Sequence, residues 1–234
     1  MAADGMQEYR KIKIIYEDNH LLVAVKPQNM LSQADNTGDD DILTLLKEYL
    51  KEKYNKPGNV YLGLVHRLDR PVGGVMIFAR TSKAASRLSE QVRIRDFDKT
   101  YLAITRGRFK SRSGTLEHFL IKDEKTNIVS VAASEGNGAK KALLDYEVIG
   151  EKDELSLVRI KLHTGRSHQI RVQFSASGHP LLGDRKYGND NGSQPEHISL
   201  WSAEIACRHP VTKEEMVFSC NPPKEFPWNT FEIA

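Results

Sequence analysis

The sequence is poor in several features that would each have fixed a class of protein. It has only two cysteines, Cys207 and Cys220, in 234 residues. No disulfide framework is therefore expected, and a reducing compartment is the economical reading. No stretch approaches the ~20 consecutive apolar residues that a membrane-spanning helix needs, and the opening MAADGMQEYR has no apolar core of a secretory signal. A cytoplasmic protein without a membrane partner is expected. Neither G-x-G-x-x-G nor a G-K-[ST] phosphate loop occurs, so a nucleotide cofactor has no support. There is no internal repeat and no interdomain linker. Apolar residues make up 39% and charged residues 28% of the chain, the range of an ordinary globular protein with enough chain for a core.

Charge is present but unevenly placed. The net charge is only +3, yet residues 80–112 carry ten basic residues (Arg80, Lys83, Arg87, Arg93, Arg95, Lys99, Arg106, Arg108, Lys110, Arg112) against Glu90, Asp96 and Asp98. That segment is +7 and the remainder is −4. Such a distribution fits a phosphate-backbone footprint, or equally a solvated helix face followed by a basic turn.

Periodicity gives many strands and three helices. Ile12, Ile14 and Tyr16 alternate, and the apolar run 21–25 follows, so 11–25 reads as a hairpin closed by Lys26-Pro27. Ile42, Leu45, Leu46, Tyr49 and Leu50 have helical spacing behind the aspartates that end the polar loop 32–41. A second helix is expected over 82–93, with Ala85, Leu88 and Val92 inward. A third runs from an N-cap at Ser167 to about Ser177, with Gly178 as its stop. Strands are expected at 61–65, 74–78, 100–105, 115–121, 127–131, 198–206 and 216–220. A hairpin over 143–149 and 155–162 turns through 150–154. Without regular βαβ alternation, this order predicts an α+β fold on a largely antiparallel sheet. Residues 1–10 read as a tail and 11–234 as a single domain, with two lobes around a cleft as the other arrangement.

Three segments carry candidate chemistry. His66-Arg67-Leu68-Asp69-Arg70-Pro71-Val72-Gly73-Gly74 places a carboxylate between two arginines in a Pro/Gly-shaped turn. Opposite charge keeps it ionised as a nucleophile or base, although a turn-capping Asp paired with Arg has the same sequence. His163-Thr164-Gly165-Arg166-Ser167-His168-Gln169-Ile170-Arg171 crowds polar groups onto a helix start, with Arg171 able to meet a carboxylate. Lys99-Thr100-Tyr101 opens a strand, where Tyr101 is either a core residue or a ring offered to a base. His163, His168 and His179 lack the spacing and companion ligands of a metal site, as do Cys207, His209 and Cys220, so no metal is expected.

In this order, these segments resemble the RluA-type family of pseudouridine synthases. His66-Arg67-Leu68-Asp69 is similar to its catalytic motif, Lys99-Thr100-Tyr101 to its K-x-Y element, and 164–171 to its T-G-R-x-H-Q-I/L-R element. Gly178-His179-Pro180, Leu182-Gly183-Asp184 and Tyr187-Gly188 follow as in the family, and the likeness covers roughly 12–222. The resemblance implies the pseudouridine synthase fold with helices flanking the sheet and a central catalytic cleft. It implies isomerisation of uridine in structured RNA, ribosomal RNA first, without metal or organic cofactor. Asp69 becomes the catalytic carboxylate, Tyr101 the residue stacked on the base, and Arg171 the ion-pair partner of Asp69. Arg67, Arg166, His168 and Gln169 are expected to bind substrate. Arg70-Pro71-Val72-Gly73-Gly74 departs from the family's usual T-S-G turn, and Leu200-Trp201-Ser202-Ala203 from its L-H-A pattern. No S4-type RNA-binding module fits before Ile12, so a monomer that recognises RNA, and not DNA, through the catalytic domain is expected. Transfer RNA as the target, or an inactive assembly factor of the same fold, are the alternatives.

Overall fold

The computed structural model describes residues 12–188 and 195–233; the expected tail at 1–10 lies outside them. Contacts divide the chain into two compact units. The first contains the described residues up to Phe97 together with Glu204–Cys220, and the second contains Asp98–Ala203 with the residues from Asn221 onward. Among the described residues the fold is α+β, with strands paired almost entirely antiparallel and three α-helices.

In the first unit, β1 (Ile14–Glu17) and β2 (Leu21–Lys26) form the expected hairpin. β2 pairs with β4 (Gly73–Ala79), in register from Leu21 opposite Ala79 to Lys26 opposite Gly74. All seven residues of β4 are buried, which is why Val75, Met76, Ile77 and Phe78 run without a polar interruption. β3 (Gly63–Leu64) is far shorter than the strand expected at 61–65. The ladder stops because the ring of His66 takes over: its Nε2 accepts from the Ile77 N–H at 3.0 Å.

Helix α1 (Ile42–Lys53) starts where the aspartates predicted, with Asp41 accepting from the Thr44 N–H. It buries Ile42, Leu45, Leu46 and Leu50. Helix α2 (Ser82–Ile94) is capped by Thr81 and ends at Arg95, which is left-handed at φ 64°. Leu21, Val23, Val75, Ile77, Ala84, Leu88, Phe97, Ile205 and Phe218 form the core of this unit.

In the second unit, which β5 (Phe97–Arg106) enters at Asp98, the strands β5, β9 (Leu155–Leu162), β8 (Lys140–Lys152), β6 (Ser113–Asp123) and β7 (Ile128–Ala132) lie side by side in that order. The β8–β9 hairpin turns on two residues, Asp153 and Glu154, both at positive φ, the geometry of a type I′ turn. Gly150, expected in the turn, lies within β8 at a bulge, where the Phe231 ring would stand 3.0 Å from a Cβ. Helix α3 (Gln169–Ala176) corrects the expected cap. Its N-cap is His168, not Ser167, held left-handed at φ 51° with no side-chain cap bond. The expected stop at Gly178 is present at φ 83°. The strand β10 (Leu200–Arg208) follows, and its later residues pair with β11 (Glu215–Ser219) in the first unit.

Candidate active site

The Asp69 motif belongs to the first unit. Leu68 is buried and Asp69 half-buried, and the turn closes by a 2.9 Å bond from the Val72 N–H to the Asp69 carbonyl. Gly74, at φ 122°, is the second residue of β4, directly behind it. Arg70 donates to the side chains of Asn29 and Asp39, at 3.3 and 2.7 Å. Arg67 is exposed, and among the described residues it makes no hydrogen bond or ion pair.

Two side chains that the sequence reading passed over hold this turn from beneath. The Ser32 hydroxyl donates to the Leu68 carbonyl at 2.7 Å and accepts from the Leu68 N–H at 3.1 Å. Lys26, with 0% exposure, donates to the carbonyls of Pro27, Met30 and Arg70 at 3.0, 2.6 and 3.1 Å. Burial pushes its ammonium down to about 7, against the pull of the Asp69 carboxylate. A lone lysine closing the apolar run Leu21–Val25 was the signal available for it.

The second unit holds Tyr101, Arg166, His168, Gln169 and Arg171. Tyr101 lies on β5 opposite Ile160 and is only 7% exposed. Arg171, on α3, is buried and gripped by Asp184: Nε and Nη2 donate to the two carboxylate oxygens at 2.8 and 2.7 Å. The Tyr187 ring lies 5.0 Å from the guanidinium carbon, a cation–π contact. Asp184 also accepts the N–H groups of Lys186 and Tyr187, so one carboxylate shapes its own turn and orients the arginine. Neither Asp184 nor Tyr187 was assigned a role from sequence, although a buried arginine requires a counter-ion.

Gln169 is buried, and its amide is committed to the preceding loop. Oε1 accepts from the Thr164 hydroxyl and the Arg166 N–H, and Nε2 donates to the Leu143 carbonyl. Arg166 itself is exposed, with Nε on the Lys141 carbonyl. His168 Nδ1 lies 2.6 Å from the Tyr187 hydroxyl, which also accepts from the Val129 N–H. Lys99 stands beside the same loop, its Nζ 3.3 Å from where a Cβ on Gly165 would be, and burial lowers its pKa.

The histidines go to separate partners. His163 pairs with Asp145 at 2.6 Å, His168 with Tyr187, and His179 stacks on Phe109 with centroids 3.8 Å apart. The basic segment is likewise divided: residues 80–97 belong to the first unit and 98–112 to the second. Arg80, Arg93, Arg108 and Arg112 are ion-paired with Glu17, Glu90, Glu154 and Glu151. Of these four, the Arg80–Glu17 pair is buried; exposed pairs like the other three contribute roughly 0–1 kcal/mol. No helix among the described residues is long and apolar enough to cross a membrane.

An ionisable carboxylate in a clamped turn, and a counter-ion-held arginine at a helix start, carry the motifs of one enzyme class. The model of the RNA pseudouridylate synthase family matches residues 20–176, and the chain belongs to that family. It is 37% identical over 186 residues to ribosomal large subunit pseudouridine synthase D of Borreliella burgdorferi, covering 78% of this chain and 56% of that one. It is 32% identical over 219 residues to the dual-specificity RNA pseudouridine synthase RluA of Haemophilus influenzae, covering 89% and 92%. These relatives place it in the RluA-type branch, an isomerase acting on RNA. In fold it resembles human RNA pseudouridylate synthase domain containing 4, with a TM-score of 0.79, 22% identity and coverage of 96% and 94%.

Proposed function

We propose that this enzyme isomerises uridine in ribosomal RNA, with Asp69 as the reacting carboxylate. The observation that carries the reading is the Asp69 turn, closed on Val72 and clamped at Leu68 and Arg70 by buried side chains. A group so held meets the geometric demand of covalent or base catalysis, where misplacement by about 1 Å costs roughly a hundredfold. In the reaction the N1–C1′ bond breaks, the uracil turns, and a C5–C1′ bond forms. The proton from C5 is released and N1 takes one up, so nothing is oxidised and no electron carrier or organic cofactor is required.

Arg171 is assigned to pair with Asp69. Its fixed orientation on Asp184 and Tyr187 supports a role in holding charge at one place. Tyr101 is assigned to stack on the uracil. Arg67, a guanidinium with no bonded partner among the described residues, is suited to enter the space left by a flipped nucleotide. Arg166 and His168 are assigned to the RNA. The buried amide of Gln169 supports these contacts indirectly, by shaping the 164–166 loop. We place the enzyme in the cytoplasm, acting as a monomer through a single catalytic domain.

The name of the Haemophilus relative, of which the chain covers 92%, supports a second RNA class as substrate. The test is tritium release from large-subunit ribosomal RNA and from transfer RNA, each labelled as [5-³H]uridine. Release from ribosomal RNA is expected. Release from transfer RNA alone would reverse the assignment, and binding without release from either would favour an assembly factor.

A further inference from the structure

We propose that the exposed ring of Tyr54, at the end of α1, is a docking surface for the RNA substrate. An unpaired base outside the reacting uridine stacks on the ring, and Lys56 takes a neighbouring phosphate. The inference rests on the enzyme's action on RNA. Tyr54 is 44% exposed, yet its ring does not swing freely in water. Its hydroxyl donates to Glu17 Oε1. Three cations surround the ring: the Arg80 guanidinium carbon lies 4.8 Å from the centroid, and the ammoniums of Lys53 and Lys56 lie 5.5 and 5.7 Å from it.

The way α1 stops builds this surface. Asn55 is left-handed at φ 44°. Its N–H donates to the Glu52 carbonyl at 3.1 Å, and the Lys56 N–H reaches back to the Lys51 carbonyl at 3.0 Å. That pair of bonds is a Schellman stop, which turns the chain back on the last helical turn and brings Lys56 beside the Tyr54 ring. Among the described residues the Lys56 side chain makes no hydrogen bond or ion pair. Residues 47–56 carry Lys47, Lys51, Lys53 and Lys56 against Glu48 and Glu52, so the helix end is basic before Arg80 is added.

The buried part of this cluster does not need the exposed ring. Glu17 already holds the Arg80 guanidinium at 3.0 Å, the Lys53 ammonium at 2.8 Å and the Tyr49 hydroxyl at 2.8 Å. What Tyr54 adds is an aromatic face with its orientation fixed in advance, set among positive charges. A carboxylate-bearing peptide would engage the cations and leave the ring idle. Single-stranded RNA offers a base to the ring and phosphates to the ammoniums together. The surface also stands apart from the reaction. β2 and β4 pair in register from Leu21 opposite Ala79 to Lys26 opposite Gly74. Glu17 and Arg80 flank the first end and the Asp69 turn precedes the second, five strand residues or about 17 Å along the ladder.

Filter retention measures binding of the whole protein to [5-³H]uridine-labelled large-subunit ribosomal RNA and transfer RNA, over about 50 to 200 mM potassium chloride. Tritium release is read from the same mixtures. Wild type, Tyr54→Ala, Tyr54→Phe and Lys56→Gln are compared, each first checked for a cooperative urea transition. Tyr54→Ala is expected to weaken binding roughly five- to a hundredfold. Tyr54→Phe keeps the ring, loses the bond to Glu17, and is expected to recover most of that loss. Lys56→Gln is expected to reduce the slope of log affinity against log salt by about 0.7. If Tyr54→Ala does not fold, Tyr54→Phe and Lys56→Gln decide. Wild-type affinity in a folded Tyr54→Ala protein, binding by Tyr54→Phe as weak as by Tyr54→Ala, or an unchanged salt slope with Lys56→Gln overturns the proposal. A wild type that binds but releases no tritium from either RNA removes the functional reading instead, and the binding curves still decide on Tyr54.

Discussion

Asp184→Asn should destabilise the second unit by roughly 2–4 kcal/mol. The substitution keeps the shape of the side chain and the oxygen that accepts from Lys186 and Tyr187. It removes the charge facing Arg171, in a pair whose side chains are 8% and 1% exposed. Breaking a buried pair by neutralising one partner costs about 3–5 kcal/mol. The Tyr187 ring, still over the guanidinium, offsets about 1 kcal/mol of that. Both tryptophans, Trp201 and Trp228, belong to the same unit, so urea unfolding followed by intrinsic fluorescence reports on the right part of the chain. Arg171→Met in the same background should recover part of the loss, giving a coupling of at least about 2 kcal/mol. A loss below about 1 kcal/mol, or strictly additive single variants, would refute the argument that Asp184 is what holds Arg171.

Lys26 carries a pH signature. Its folded pKa of about 7 lies below the ordinary 10.5. The cost of burying the charge is therefore present when both states are protonated and is relieved as pH rises from about 7 toward 10.5. Unfolding free energy of the wild type relative to Lys26→Met should climb over that window, by at most roughly 5 kcal/mol; a flat difference would contradict a buried charge. Gly183→Ala should cost at least about 2 kcal/mol in thermal or urea unfolding. The backbone there is left-handed at φ 79°, and a Cβ would meet the His197 carbonyl oxygen at 2.6 Å. A neutral outcome would mean the turn before Asp184 adapts freely. Tyr187→Phe should cost about 1–3 kcal/mol in urea unfolding by leaving the part-buried Val129 N–H without its acceptor. A neutral outcome would remove the Tyr187 hydroxyl from the account.

Local signals were legible and distant ones were not. Asp41 and Thr81 cap their helices with bonds to residues three positions on, so spacing and capping chemistry predict α1 and α2 well. At α3 the same logic chose Ser167, because a serine before a helix is the ordinary cap. The chain instead places His168 there in a left-handed turn, its ring held by Tyr187, 19 residues later. β3 ends early for a similar reason, since His66 reaches across to Ile77. The Asp69 turn announces itself through flanking arginines, Pro71 and two glycines, all within five residues. Its clamps come from 36 and 44 residues away and leave only an unremarkable serine and a lysine before a proline. Counting charges over 80–112 could not foresee the glutamates that folding brings to Arg80, Arg108 and Arg112.

The central claim is that Asp69 performs the isomerisation. The direct measurement is to incubate wild type and Asp69→Asn with unmodified ribosomal RNA and map pseudouridine by carbodiimide-dependent reverse-transcription stops. New stops made by the wild type and absent with a folded Asp69→Asn variant are the predicted result. Stops that persist at the same positions with Asp69→Asn would contradict it.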